Sequence, residues 1–64
     1  MHTGTDRPLD ILLVEDNPGD ARLAAEAFAS AQIGTFTLTR AERLTEAIQL
    51  LQQRSFDAIV LDLS

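Results

Sequence analysis

Two short runs of consecutive aliphatic residues form the strongest pattern in the chain, and each run is followed by carboxylates. Residues 11–14 precede Glu15 and Asp16, and residues 58–61 precede Asp62. Runs of this length that are apolar at every position indicate strands buried on both faces of a parallel sheet. The chain is therefore expected to contain at least two such strands.

The region between these runs predicts the remaining elements. Residues 35–39 alternate threonine with phenylalanine and leucine, which is typical of a strand with one buried face, and we place this strand at an edge of the sheet. Asn17 is a suitable N-cap and Pro18 fits the first helical position, so a helix is expected to begin there. It should end near residue 33, where a glycine follows as its C-terminal cap. Apolar residues at helical spacing predict a second helix over residues 44–53.

Strands and helices alternate along the chain, which indicates an α/β fold. Right-handed crossovers then make the sheet parallel. If the alternating strand lies outside and the two aliphatic strands lie side by side, the sheet has the order 2-1-3. Residues 1–8 are polar and lack periodicity, so we expect a flexible segment there and one domain over residues 9–64.

Charge and composition narrow the classes of partner. The 64-residue chain has ten acidic residues against five arginines, for a net charge of −5. This balance argues against binding to nucleic acid or to an anionic membrane, and it favours a protein partner. The sequence has no cysteine, no secretory signal and no apolar stretch of the roughly 20 residues that span a bilayer. A cytoplasmic location is therefore expected.

Three carboxylates are candidates for a common site. The carboxyl ends of parallel strands meet at one edge of a sheet, so Glu15, Asp16 and Asp62 are expected to lie close together. Like charges a few ångströms apart raise one another's pKa unless a proton or a cation neutralises them. Oxygen ligands without cysteine or a nearby histidine suit a hard ion such as Mg²⁺. Simpler interpretations stay open, with Glu15 and Asp16 capping the first helix and Asp62 facing solvent.

Two other aspartates are given structural roles. Asp20 lies in the first turn of the first helix, where it favours the positive end of the helix and adds long-range negative potential to the crevice. An EF-hand is rejected, because Pro18 and Ala21 stand where a calcium loop requires Asp or Asn and Gly. Asp57 is assigned to the turn that enters the third strand.

Two segments of the chain are similar to motifs of a known protein family. They are Val14-Glu15-Asp16-Asn17-Pro18 and Asp57-Ala58-Ile59-Val60-Leu61-Asp62-Leu63. Together with the two helical patterns and the strand between them, they make residues 9–64 resemble the first half of a response-regulator receiver domain. The fold implied by this resemblance is the same flavodoxin-like sheet, truncated before its fourth and fifth strands.

The resemblance also implies roles for individual residues. Asp62 is the implied phosphoacceptor, and Asp16 and Asp62 are implied to bind Mg²⁺ directly. Glu15 is implied to act through water, and the backbone carbonyl of Ser64 is a further implied ligand. The phosphoryl donor would be a phosphohistidine on a sensor histidine kinase or a phosphotransfer protein. Such a chain is a signalling module of a phosphorelay rather than an enzyme.

Two other functions remain in view. The family places a Ser or Thr after its fourth strand and a Lys after its fifth, and this chain has no lysine, so neither residue is assigned. The alternative is a truncated or degenerate receiver that acts as an interaction module without phosphorylation. A hydrolase of the haloacid-dehalogenase type would need a second aspartate where Ser64 stands. In either case the aliphatic edge at residues 58–63 predicts self-association or partial folding of the isolated chain.

Overall fold

A three-stranded parallel sheet and two helices make up the computed structural model, which describes residues 7–62. In chain order the elements are β1 (Leu9–Val14), α1 (Pro18–Ser30), β2 (Phe36–Ala41), α2 (Leu44–Gln53) and β3 (Ala58–Leu61). Both neighbours of β1 run parallel to it, and the strand order is β2-β1-β3. The predicted α/β fold with sheet order 2-1-3 is confirmed.

Some of the predicted features fall outside the described part of the chain. Most of the flexible segment expected at residues 1–8 lies there, and so does Ser64, the predicted source of a carbonyl ligand. Within residues 7–62, neither helix has the length and apolar character needed to cross a membrane.

The central strand β1 forms the core of the molecule. Its last four residues, 11–14, are all buried, and the side chain of Leu12 has no exposed surface. Leu12 and Val14 pack with Ala41 of β2 and Ala47 of α2. Because side chains alternate along a strand, the other two buried residues of β1 face the opposite side of the sheet. The continuous aliphatic run therefore marks a strand covered on both faces, as expected.

The second aliphatic run behaves differently. In the parallel register Leu12 lies beside Ile59 and Val14 beside Leu61, so these β3 residues lie on the face that α2 covers. Ile59 is nevertheless 50% exposed and Leu61 is 51% exposed. The expectation of burial on both faces is wrong for β3, because this strand pairs only with β1 and helix α2 packs over β1 and β2.

Helix α1 begins where the sequence predicts and ends earlier. Oδ1 of Asn17 accepts hydrogen bonds from the backbone N–H groups of Gly19, at 2.8 Å, and Asp20, at 3.1 Å, which makes Asn17 the N-cap. The helix ends at Ser30 rather than near residue 33. The reason is that Gln32, with a φ of 58°, takes the left-handed conformation that leaves the helix.

Strand β2 starts and ends later than predicted, over Phe36–Ala41 instead of residues 35–39. Its last residues are Arg40 and Ala41, which lie beside Leu13 and Val14 of β1. Alternation of threonine with apolar residues ceases before Arg40, so the pattern alone underestimates a strand whose end is fixed by pairing. Helix α2 and strand β3 have the predicted bounds.

Candidate functional site at the carboxyl ends of the strands

A cleft of about 430 Å³ opens at the carboxyl ends of β1 and β3. It is bounded by the ends of both strands and by the start of α2. The lining residues are Val14, Glu15, Asp16, Glu42, Leu44, Leu61 and Asp62. The three predicted site residues of the described chain, Glu15, Asp16 and Asp62, thus border the same cleft.

The carboxylates that come closest together are not the three that the sequence predicts. Glu15, Asp20 and Asp62 each place a carboxylate oxygen within 4.8 Å of the other two, and we call these residues the acidic triad. Asp16 lines the cleft, but its carboxylate is not part of this group. The sequence predicts only a structural role for Asp20 in the first turn of α1, with long-range negative potential added to the crevice. Its carboxylate joins the triad because that turn lies close to the ends of β1 and β3.

Glu15 is the buried member of the triad. The residue is only 1% exposed, and its Oε2 accepts a hydrogen bond from the backbone N–H of Asn17 at 3.1 Å. Its Oε1 is buried, and when Glu15 and Asp62 are both ionised it has no hydrogen-bond donor among residues 7–62. Burying a carboxylate oxygen without a donor is costly, and such atoms in folded proteins usually have a partner in the form of a donor, water or an ion.

The position of Glu15 beside Asp62 also changes its protonation. Hydrogen bonding with the Asp62 side chain is the main influence that raises the pKa of Glu15 above its ordinary value. The Asn17 N–H acts in the opposite direction, while burial and the negative charges of Asp62 and Asp20 raise the pKa further. Two carboxyl groups form a hydrogen bond only when one of them carries a proton. The pair therefore needs either a proton or a cation between its members.

Backbone pairing fixes the position of Asp62. Its N–H donates to the carbonyl of Val14 at 3.1 Å, which joins the end of β3 to the end of β1 just before Glu15. Asp62 is the exposed member of the triad, whereas Asp20 is half-buried. The triad thus combines a buried carboxylate with one that a solute reaches directly from solvent.

The turn after β1 is held by Arg40 of β2. Its Nε donates to the carbonyl of Glu15 at 2.9 Å, and its Nη2 donates to the carbonyl of Asp16 at 3.1 Å. Its Nη1 lies 3.8 Å from the carboxylate of Glu42. These contacts direct the guanidinium to backbone oxygens of the turn, and they stabilise the segment from which Glu15 and Asp16 project.

The donor set fits a hard divalent cation. Mg²⁺ prefers oxygen ligands, and it is usually held by one or two carboxylates while keeping several waters. The triad offers carboxylate oxygens, one of them buried without a donor, and an open cleft in which water can complete the coordination. Ser64, the remaining predicted ligand, lies outside the described residues.

No family model, curated protein or solved structure matches this chain. Membership of a family is therefore not established by similarity. The fold, the cleft and the acidic triad are the features from which a function is inferred.

Proposed function

We propose that the chain is a phosphoacceptor receiver module that takes a phosphoryl group onto Asp62 with Mg²⁺ bound at the acidic cleft. The observation that carries this proposal is the buried Oε1 of Glu15, which lacks a donor beside a second carboxylate at the ends of two parallel strands. Open α/β sheets bind ligands outside the carboxyl ends of their strands. A cation at this position would satisfy Glu15 and reduce the repulsion within the triad.

Asp62 is the nucleophile in this proposal because it is the exposed carboxylate of the triad and follows a strand directly. One of its oxygens attacks phosphorus in a phosphohistidine of a sensor histidine kinase or phosphotransfer protein. A P–O bond forms, the P–N bond breaks, and the imidazole leaves. When bound, Mg²⁺ supplies charge neutralisation for the carboxylate and the phosphoryl oxygens. A cytoplasmic location, where such donors act, belongs to the same proposal.

Two aspartates compete for the remaining position at the cation. The receiver resemblance assigns Asp16 as a direct ligand, whereas the close approach of carboxylates favours Asp20. Glu15 and Asp62 are common to both arrangements. Variants Asp16→Asn and Asp20→Asn separate them, because only the residue that contacts the ion should cause a large loss of affinity.

A second candidate function is an interaction module that works without phosphorylation. It is favoured by the exposed apolar residues beside the cleft, Leu44 and Leu61, together with Ile59 on the same face of the sheet. Exposed apolar side chains grouped in this way are typical of a protein contact. In this case the acidic cleft would serve recognition only.

Incubation with a small acyl phosphate tests the choice between these functions. We expect the intact mass to increase by one phosphoryl group only when Mg²⁺ is present, and peptide mapping should locate it on Asp62. Asp62→Asn should abolish labelling, whereas Asp57→Asn, at the opposite end of the sheet, should retain it. Labelling that survives Asp62→Asn or removal of Mg²⁺ would refute the phosphoacceptor proposal. So would a failure of the native chain to become labelled with Mg²⁺ present.

A further inference from the structure

Strand β3 presents an open edge to solvent. It pairs with β1 on one side, where the N–H of Asp62, immediately after the strand, donates to the carbonyl of Val14. Because backbone groups alternate in direction along a strand, Val60 also faces β1, and the N–H and C=O groups of Ile59 and Leu61 face the open edge. The strand therefore offers a short row of hydrogen-bonding groups to another chain.

The sequence of β3 lacks the features that usually protect such an edge. Residues 58–61 contain no charge, proline or glycine, and two of the four side chains are half-exposed leucine or isoleucine. Natural proteins protect edges with charged residues, proline or bulges. The other edge, β2, carries Arg40 and alternating threonines. Of the two edges in the described sheet, β3 is the one suited to strand addition.

We propose that a second copy of this chain binds at β3 in the antiparallel direction, with Val60 opposite Val60. The pairing joins two three-stranded sheets into one of six strands. Identical edges related by a twofold axis are self-complementary. Val60 then forms the non-hydrogen-bonded pair on that axis, and Ile59 of each copy exchanges backbone hydrogen bonds with Leu61 of the other. Ile59 of each copy lies opposite Leu61 of the other, so the half-exposed side chains of both strands cover one another.

The distribution of charge favours the antiparallel direction. At the amino end of β3, Arg7 pairs with Asp57 and Arg54 pairs with Asp10, so positive and negative charges balance. At the carboxyl end lies the acidic triad. Antiparallel pairing sets the triad of each copy beside the balanced end of the other. A parallel arrangement would place the two triads side by side, and like charges across a sheet are destabilising.

Sedimentation equilibrium on the chemically synthesised 64-residue chain tests the interface. We expect a dimer with twice the chain mass of 7.0 kDa. N-methylation of the Leu61 amide removes a donor that faces the open edge while keeping the side chain and the pairing with β1. It should weaken the dimer by about tenfold or more, because each copy loses the hydrogen bond from Leu61 to Ile59 of the other.

N-methylation of the Leu38 amide is the matched control. The carbonyls of Thr35 and Ala41 accept hydrogen bonds from β1, so the alternating groups of Leu38 face the opposite edge of the sheet. This change should leave the dimer intact. A monomeric unmodified chain at high micromolar concentration, or equal losses from the two modifications, would overturn the proposal.

Disulfide formation tests the direction of pairing. The chain has no native cysteine, and residues 59 and 61 form hydrogen-bonded pairs in which the α-carbons are about 5.5 Å apart, within reach of a disulfide. Mixed Ile59→Cys and Leu61→Cys chains should cross-link to each other much faster than either chain cross-links to itself. Faster self-linking of each variant would indicate a parallel arrangement, and an absence of cross-links would overturn the interface.

Discussion

The two ends of the parallel sheet treat carboxylates in opposite ways. At the amino end, Asp57 accepts two hydrogen bonds from Arg7, at 3.0 and 2.9 Å, and one from the N–H of Asp10 at 2.7 Å. These contacts lower its pKa from 3.8 to about 2. At the carboxyl end, Glu15 is buried beside Asp62, and its pKa is raised.

This difference separates structural acids from candidate functional acids. At the amino end of the described sheet, Asp57 pairs with Arg7 and Asp10 pairs with Arg54 at 2.8 Å. At the carboxyl end, Arg40 donates to backbone carbonyls of the turn and lies 3.8 Å from the carboxylate of Glu42, outside the acidic triad. Position along the strands, rather than residue type, decides whether an acid stabilises the fold or remains available for a ligand.

The largest expected effect comes from truncating a core side chain in β1, the strand that runs between the two ends of the sheet. Leu12 is fully buried in the middle of β1, so Leu12→Ala should lower the free energy of unfolding by about 2–5 kcal/mol. Leu23→Ala, at an exposed position of α1, should change it little. Urea unfolding followed by circular dichroism measures both values. Equal effects would show that β1 is not the centre of a packed core.

A metal titration sharpens the comparison between the ends. Asp62→Asn should weaken Mg²⁺ binding by at least about tenfold, because it removes a carboxylate of the triad. Asp57→Asn carries the same chemical change at the opposite end and should leave the affinity within about twofold. Isothermal calorimetry on folded samples provides the values. If both substitutions weakened binding equally, the acidic cleft would not be the cation site.

The helix cap links α1 to the triad and should have a smaller effect. Asn17→Ala removes the acceptor for the N–H groups of Gly19 and Asp20, and it should cost about 1 kcal/mol of stability. It should also loosen Asp20 relative to Glu15 and weaken Mg²⁺ binding modestly. Asn17→Asp retains an acceptor and is the control. Unfolding and titration measurements in which Asn17→Ala matches the native chain would contradict this role.

The smallest effects concern the dependence of stability on pH, where the two ends should have opposite signs. The pKa of Glu15 is raised above its ordinary value of 4.5, so between pH 4.5 and the raised pKa the folded chain binds more protons than the unfolded chain. Stability therefore falls as the pH rises through this interval. The pKa of Asp57 is lowered, so its contribution to the stability of the folded chain is complete above pH 3.8 and is lost as the pH falls towards about 2.

Glu15→Gln and Asp57→Asn test these opposite signs by urea unfolding across the pH range. Glu15→Gln should remove the decline in stability as the pH rises above 4.5. Asp57→Asn should remove the loss of stability as the pH falls below 3.8. Saturating Mg²⁺ should reduce the decline due to Glu15 in the native chain. An unchanged profile for Glu15→Gln would mean that its carboxyl does not share a proton with Asp62.

Local patterns predict much of the fold because they reflect burial along single elements. The aliphatic run of β1 and the helical spacing of α2 give their approximate positions, and alternation of strands and helices gives the parallel sheet. The predicted end of α1 is wrong because Gln32, two residues before the predicted glycine cap, already adopts the left-handed conformation. The exposure of β3 was misjudged because burial depends on which elements cover a strand, not on its composition.

The site was only partly predictable for a similar reason. Glu15 and Asp62 follow aliphatic runs, so their approach follows from strand pairing. The approach of Asp20 depends on how the first turn of α1 lies over the sheet, which spacing along the chain does not give. The contact of Arg7 with Asp57 joins residues 50 positions apart and has no local signal.

The hydrogen bond from the Asn17 N–H to Glu15 has a practical consequence for spectroscopy. That amide proton touches the one triad carboxylate that is hidden from solvent, so its chemical shift should follow the charge on Glu15. A single resonance in a ¹⁵N-labelled chain would then report proton release and cation binding from inside the cleft. The molecule thus contains its own probe, which needs no attached reporter group and no change to any acidic residue.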